Sequence, residues 1–170
     1  MWTTVLPALI AAVAALGGVT TGALVEPLKL RAARHVRIRQ EHAERCARLV
    51  EAATAARCGV MRLNIAHRRA VLGGEQVSEE EVLALETAYW TARTELRQLA
   101  GLIDLFGPDE LAQQAYAVRD ADRHFRAKQW ITESSGTLDR NDLPPPVRQA
   151  ADDMETQIRR FTALARESTC

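Results

Sequence analysis

From Val5 to Val25 the chain runs through 21 residues, VLPALIAAVAALGGVTTGALV, without one charged side chain. As a helix such a run rises about 31 Å, which matches a bilayer hydrocarbon core of roughly 30 Å. Thr3 or Thr4 can cap that helix, and Pro7 falls in its first turn, where the missing N–H is no loss. Trp2 stands where an aromatic anchor meets the membrane interface.

The basic flank lies wholly on the far side. Lys29, Arg31, Arg34, Arg37 and Arg39 follow Glu26-Pro27, and no Lys or Arg precedes them. A secretory signal peptide puts its basic region before a shorter apolar stretch, and a core helix in a remainder of this size rarely stays uncharged for so long. The expected element is therefore a transmembrane span over residues 1–25, with a basic juxtamembrane stalk at 26–42. The positive-inside rule then places the N-terminus outside and the rest in the cytoplasm, at an inner (cytoplasmic) membrane. Arg outnumbers Lys 20 to 2, the habit of a high-GC bacterial gene.

Within the span Ala8, Ala11, Ala15, Gly18 and Gly22 recur at intervals of three and four. Such a stripe lets two helices approach closely in lipid, so self-association is expected through Ala11, Ala15, Gly18 and Gly22. The formal net charge of +0 conceals a split. Residues 26–72 hold 11 basic and 4 acidic side chains, a balance of +7, against 11 and 18, or −7, in residues 73–170. A uniformly basic nucleic-acid binder is excluded, and anionic lipid headgroups are the nearest partner for the stalk.

Residues 43–170 read as an all-α bundle of about four helices with coiled-coil-like seams. The first helix, Leu28 to Leu72, has no Pro and one Gly. Its seam is Cys46, Leu49, Ala53, Ala56, Val60, Leu63, His67 and Ala70; extended backwards it meets the polar His42 and Arg39, so packing should begin after residue 42. Gly73-Gly74 ends it. Ser78-Glu79-Glu80-Glu81 is a capping box, and the second seam is Val82, Leu85, Tyr89, Ala92, Leu96, Leu99, Ile103 and Phe106. Gly107-Pro108 starts a third helix with Leu111, Ala115, Val118, Phe125 and Trp130 inward and Asp122 in the same stripe. A Pro-rich loop at 133–146 precedes a last helix, about Val147 to Arg166, with Val147, Met154, Ile158, Phe161 and Ala165 inward. Short connections favour antiparallel neighbours, and no alternating strand pattern appears.

Chemistry is sparse. Cys46 and Cys58 lie about 18 Å apart along one helix, too far for a disulfide, and unpaired thiols suit a reducing compartment. His42 and Cys46 at i, i+4 could present two ligands, but no CxxC or HExxH supplies the others. Asp120 and Asp122 point to different helix faces, so Asp122 is expected to need an arginine partner. Nucleotide-binding and nucleophile-elbow motifs are missing. No cofactor, metal or catalytic residue is therefore expected. The reading is a non-enzymatic membrane-anchored scaffold or adaptor, itself an oligomer, that recruits a cytoplasmic protein. The alternative is an oligomerising membrane effector (stress, phage or defence related) acting through the span.

Overall fold

A computed structural model describes residues 29–74, 76–131 and 143–168 with their side chains, and the helical backbone also at 5–28 and 169. Among the described residues there are four helices: α1 (Val5–Leu72), α2 (Glu79–Phe106), α3 (Asp109–Lys128) and α4 (Pro145–Thr169). There is no strand among the described residues. Two compact units divide at residue 41, one covering 1–41 and the other 42–170.

In the first unit every residue from 29 to 40 is exposed. Among the described residues no helix is long and apolar enough to cross a membrane. The side chains of Val5–Val25, with the stripe Ala8, Ala11, Ala15, Gly18 and Gly22, lie outside those described, as does Trp2 altogether.

The second unit is an up-down-up-down bundle. Gly59 of α1 lies against Tyr89 of α2, while His42 lies against Gly107 at the opposite end of α2, so the two run antiparallel. The Tyr116 hydroxyl donates to Asp104 between α3 and α2, Gln114 bonds Gln157 between α3 and α4, and the Arg57 Nε donates to the Ala151 carbonyl between α1 and α4. Each helix thus touches two others around a ring, α1 and α4 closing it.

The core is built from alanines and a few large side chains. Ala53, Ala56, Ala100, Ala115, Ala150 and Ala151 let the helices approach, and Leu49, Leu96, Ile103, Phe125, Met154 and Phe161 fill the space between. Gly59 carries the same logic furthest, because a Cβ there would stand 3.1 Å from the Tyr89 Cβ and 3.3 Å from its Cα. Gly74 closes the α1–α2 turn with φ +61°, the left-handed conformation a glycine adopts without strain.

Most of the expected inward residues are buried, with exceptions that share a cause. Phe106 is 69% exposed and Trp130 is 55% exposed, although both extend an apolar spacing. Each stands at the end of its own helix: Phe106 is the last residue of α2 and has the Arg45 guanidinium 5.3 Å above its ring, while Trp130 follows the end of α3 and meets the edge of His67, 4.9 Å between centroids. Near the end of α1, His67 is half-buried and Ala70 exposed. The last helix begins earlier than expected, at Pro145. Prolines in a first turn forfeit no helical hydrogen bond, and buried Leu143 and Val147 fix the entry of this one.

The α2 start follows the sequence closely. Ser78 is the N-cap, and its Oγ accepts from the Glu81 N–H at 3.1 Å. Ser78→Ala should lower the stability of the folded chain by about 1 kcal/mol, read as a shift of the urea midpoint with an unchanged slope. A shift indistinguishable from zero would mean that Glu79, Glu80 and Glu81 hold this end through the helix dipole alone.

Candidate functional site

The stalk is the most densely basic stretch flanking the uncharged run, and its helix distributes that charge all round. At about 100° per residue, Lys29, Arg37, Arg34, Arg31 and Arg39 fall at about 0°, 80°, 140°, 200° and 280°. No sector wider than about 80° is without a cation. Leu30, Val36 and Ile38 are also exposed and scatter among them, so there is no apolar face. Such a helix is built to be surrounded by water or headgroups, and it has no side to lay flat on an acyl surface. Arg37 pairs with Glu41 at 2.9 Å, an exposed i, i+4 contact that adds little stability.

The second polar constellation lies inside the bundle. Asp122 of α3 is fully buried, and its Oδ2 stands 3.1 Å from the Nε of Arg93 on α2. The Tyr89 hydroxyl, also buried, donates to the same carboxylate at 3.4 Å to Oδ1. Arg126 covers the Tyr89 ring at 4.8 Å and the Trp90 ring at 5.4 Å, while bonding Glu86 at 3.3 Å. Its other guanidinium nitrogen donates to the Gln129 side chain. From α1, Asn64 Nδ2 donates to the Gln129 carbonyl at 2.6 Å and to the Ile131 carbonyl at 3.1 Å, tying α1 to the end of α3.

Burial pushes the Asp122 carboxyl above its usual range, against the opposing pull of Arg93, the Tyr89 hydroxyl and Arg126. Burial likewise raises the Tyr89 hydroxyl, and the neighbouring Asp122 charge adds to it. Perturbed groups of this kind can mark active sites. Here both hydroxyl and carboxylate point at protein groups, and the carboxylate has no exposed surface on which to meet a substrate. The arrangement is an interior clamp between α2 and α3. The arginine partner expected for Asp122 is Arg93 from another helix, while Arg126, one turn beyond Asp122, covers the Tyr89 and Trp90 rings.

The remaining expectations fall as follows. Cys46 is buried and its thiol is pushed up by that burial; its Sγ lies 3.9 Å from the His42 Nε2. Among the described residues no group of three or more His, Cys, Asp and Glu side chains could hold a metal ion. Asp120 lies on the surface near Arg123, apart from Asp122. Sequence reasoning did not find Arg93, Asn64 or Gln129. Asn64 and Gln129 are buried polar residues beside the seams, and their only signal was a polar residue in a stretch otherwise rich in Leu, Ala and Ile.

On the outer side of α2 a cavity of about 320 Å³ opens between α2 and α3, lined by Thr94, Arg97, Gln98, Gly101, Tyr116 and Arg119. Comparison with known proteins yields no match, whether to a family model, a curated protein or a solved structure.

Proposed function

We propose that this chain is a non-enzymatic, single-pass membrane-anchored scaffold whose cytoplasmic bundle recruits a protein partner. Val5–Val25 is the anchor in this reading, and the stalk from Lys29 to Arg39 crosses the headgroup layer. The observation that carries it is the all-round distribution of stalk cations. A helix leaving a membrane upright is met by headgroups on every side, and each Lys or Arg near an anionic surface contributes about 1 kcal/mol of attraction. The same five cations, next to an uncharged run, fix the orientation with the bundle on the cytoplasmic side. The net negative charge of residues 73–170 keeps the bundle off an anionic surface and leaves its faces open to other proteins.

The test is membrane extraction combined with thiol labelling in the expressing cell. The chain should stay with the membrane pellet through alkaline carbonate. A membrane-impermeant maleimide should reach Cys58 or Cys170 only after the cells are permeabilised. Recovery in the carbonate supernatant would remove the anchor, and labelling of intact cells would reverse the orientation and with it the cytoplasmic partner.

A further inference from the structure

The cavity of about 320 Å³ between α2 and α3 is set apart by what lines it. Thr94, Arg97, Gln98 and Gly101 of α2 face Tyr116 and Arg119 of α3 across it, so its wall holds two cations and no carboxylate. Other clefts on the bundle differ in this respect. Arg48, in the cleft between α1 and α2, is paired with Glu95 at the same opening, and the cleft near Pro108 carries Glu110 and Glu167. Gly101 makes room, because a Cβ there would meet nothing within 4 Å. The volume falls at the lower end of the range for small-molecule sites, about 300–1,000 Å³.

The donors around this cavity are not engaged by the protein. Among the described residues neither guanidinium makes a hydrogen bond. Arg97 makes no ion pair among them, and Arg119 reaches Asp120 only at 3.6 Å while lying 4.6 Å over the Tyr116 ring. The Thr94 hydroxyl and the Gln98 amide have no partner among the described residues either, whereas Thr91 and Thr87, one and two turns back, donate to the carbonyls four residues before them. The carboxylates next to the wall residues already have contacts of their own. Asp104 accepts from the Tyr116 hydroxyl at 3.0 Å, and Asp120 lies 3.4 Å from Arg123.

Two guanidiniums, a hydroxyl and a carboxamide around one cavity are the donor set of an anion site. A phosphate monoester fits their number. Its charge of about −1.5 to −2 at pH 7 matches two cations, and its three terminal oxygens can each accept. A carboxylate would leave one guanidinium without a counter-charge. The room left by Gly101 beside the Tyr116 ring takes the organic group, which separates an ester from a free phosphate. The general field of the bundle opposes such binding. Residues 73–170 carry a balance of −7, so an anion held here is held by the local arrangement.

We propose that the cavity walled by Thr94, Arg97, Gln98, Gly101, Tyr116 and Arg119 is a binding site for a small, soluble phosphate monoester. Arg97 and Arg119 take the phosphate from the two helices, Thr94 and Gln98 supply further donors, and Gly101 leaves the space for the organic group. The site lies wholly within the bundle. It depends neither on the membrane anchor nor on the scaffold role, and it gives the bundle a small-molecule ligand in addition to any protein partner.

The test is calorimetric titration of the full-length chain, in uncharged maltoside micelles, with phenyl phosphate. Binding should saturate at one site per chain with a Kd of about 1 mM or tighter. Arg97→Gln and Arg119→Gln should each weaken it by about tenfold or more, the loss of a charge-assisted contact. Gly101→Leu should abolish it by filling the cavity without altering any charge. This variant has open space at its Cβ and replaces a glycine within a helix, so its helicity by circular dichroism should be retained. Arg34→Gln in the stalk should change the Kd by less than about twofold, because its charge is outside the site. Binding that survives Gly101→Leu but is lost in Arg34→Gln would place the anion on the stalk and overturn the proposal, as would the absence of saturable binding up to about 10 mM. Benzoate bound as tightly as phenyl phosphate would overturn the phosphate, and inorganic phosphate bound as tightly would overturn the ester. Displacement of phenyl phosphate by phosphatidic acid mixed into the micelle would assign the site to a lipid headgroup and overturn the soluble ligand. None of these outcomes bears on the anchor, which carbonate extraction tests separately.

Discussion

Phe161→Ala is expected to destabilise the folded chain by about 3–5 kcal/mol, whereas Phe106→Ala should change it by less than about 1 kcal/mol. The two residues are chemically identical and differ in what surrounds them. Phe161 has no exposed surface and sits in the packed core, while Phe106 is 69% exposed with the Arg45 guanidinium above its ring. The bundle makes the first loss severe. Its helices already meet through alanines, so they cannot close further on the void left by a phenyl ring, and the cavity term adds to the lost transfer energy. A small domain has about 5–15 kcal/mol of stability in total, so Phe161→Ala should leave a population that is measurably unfolded at 37 °C. Urea titration followed by circular dichroism reads both variants on one scale. Similar costs for the two would mean that Phe106 is covered in solution, as it would be by a partner.

The contrast between these residues also marks how far the sequence could be read. Apolar spacing identified both as seam positions, because a seam records which side of a helix faces inward. It does not record where the covered stretch of a helix ends. Phe106, the last residue of α2, and Trp130, just past the end of α3, therefore continued the spacing into exposed positions, as did Ala70 near the end of α1. The seams of α2 and α4 between those ends were legible almost residue by residue, since each helix has neighbours along its full middle. The polar interior was half legible. Asp122 stood out as a carboxylate within an apolar stripe, and burial beside an arginine followed from the energy of an unpaired charge. The identity of that arginine did not follow, because Arg93 and Asp122 come together only through the register of α2 on α3. The cavity beside Gly101 was invisible for a similar reason: a helical glycine in sequence does not distinguish a crowded site such as Gly59 from an open one.

The clamp around Asp122 makes the second large prediction. Asp122→Ala should cost about 3 kcal/mol, the low end for breaking a buried pair. It leaves the Arg93 guanidinium and the Tyr89 hydroxyl facing a void. Asp122→Asn keeps the volume and one acceptor and should cost much less. Its value lies in the pH dependence. Burial holds the carboxyl of Asp122 above its ordinary value of 3.8, so the folded chain binds that proton more tightly than the unfolded chain. The resulting contribution to stability is fully present below 3.8 and is lost as the pH rises through the raised folded value. Asparagine at this position cannot lose a proton. Wild type should therefore compare best with Asp122→Asn at low pH and lose ground to it as the pH rises, after which the difference is constant. The other carboxylates are common to both chains and cancel. A difference that moved in favour of wild type with rising pH would show that Arg93, Arg126 and the Tyr89 hydroxyl outweigh desolvation, and that the clamp is held together by its charge. The expected direction instead assigns that role to packing: α2 and α3 are joined by the apolar surface of Tyr89, Leu96, Val118 and Phe125, and the ion pair fixes which arginine and which carboxylate meet.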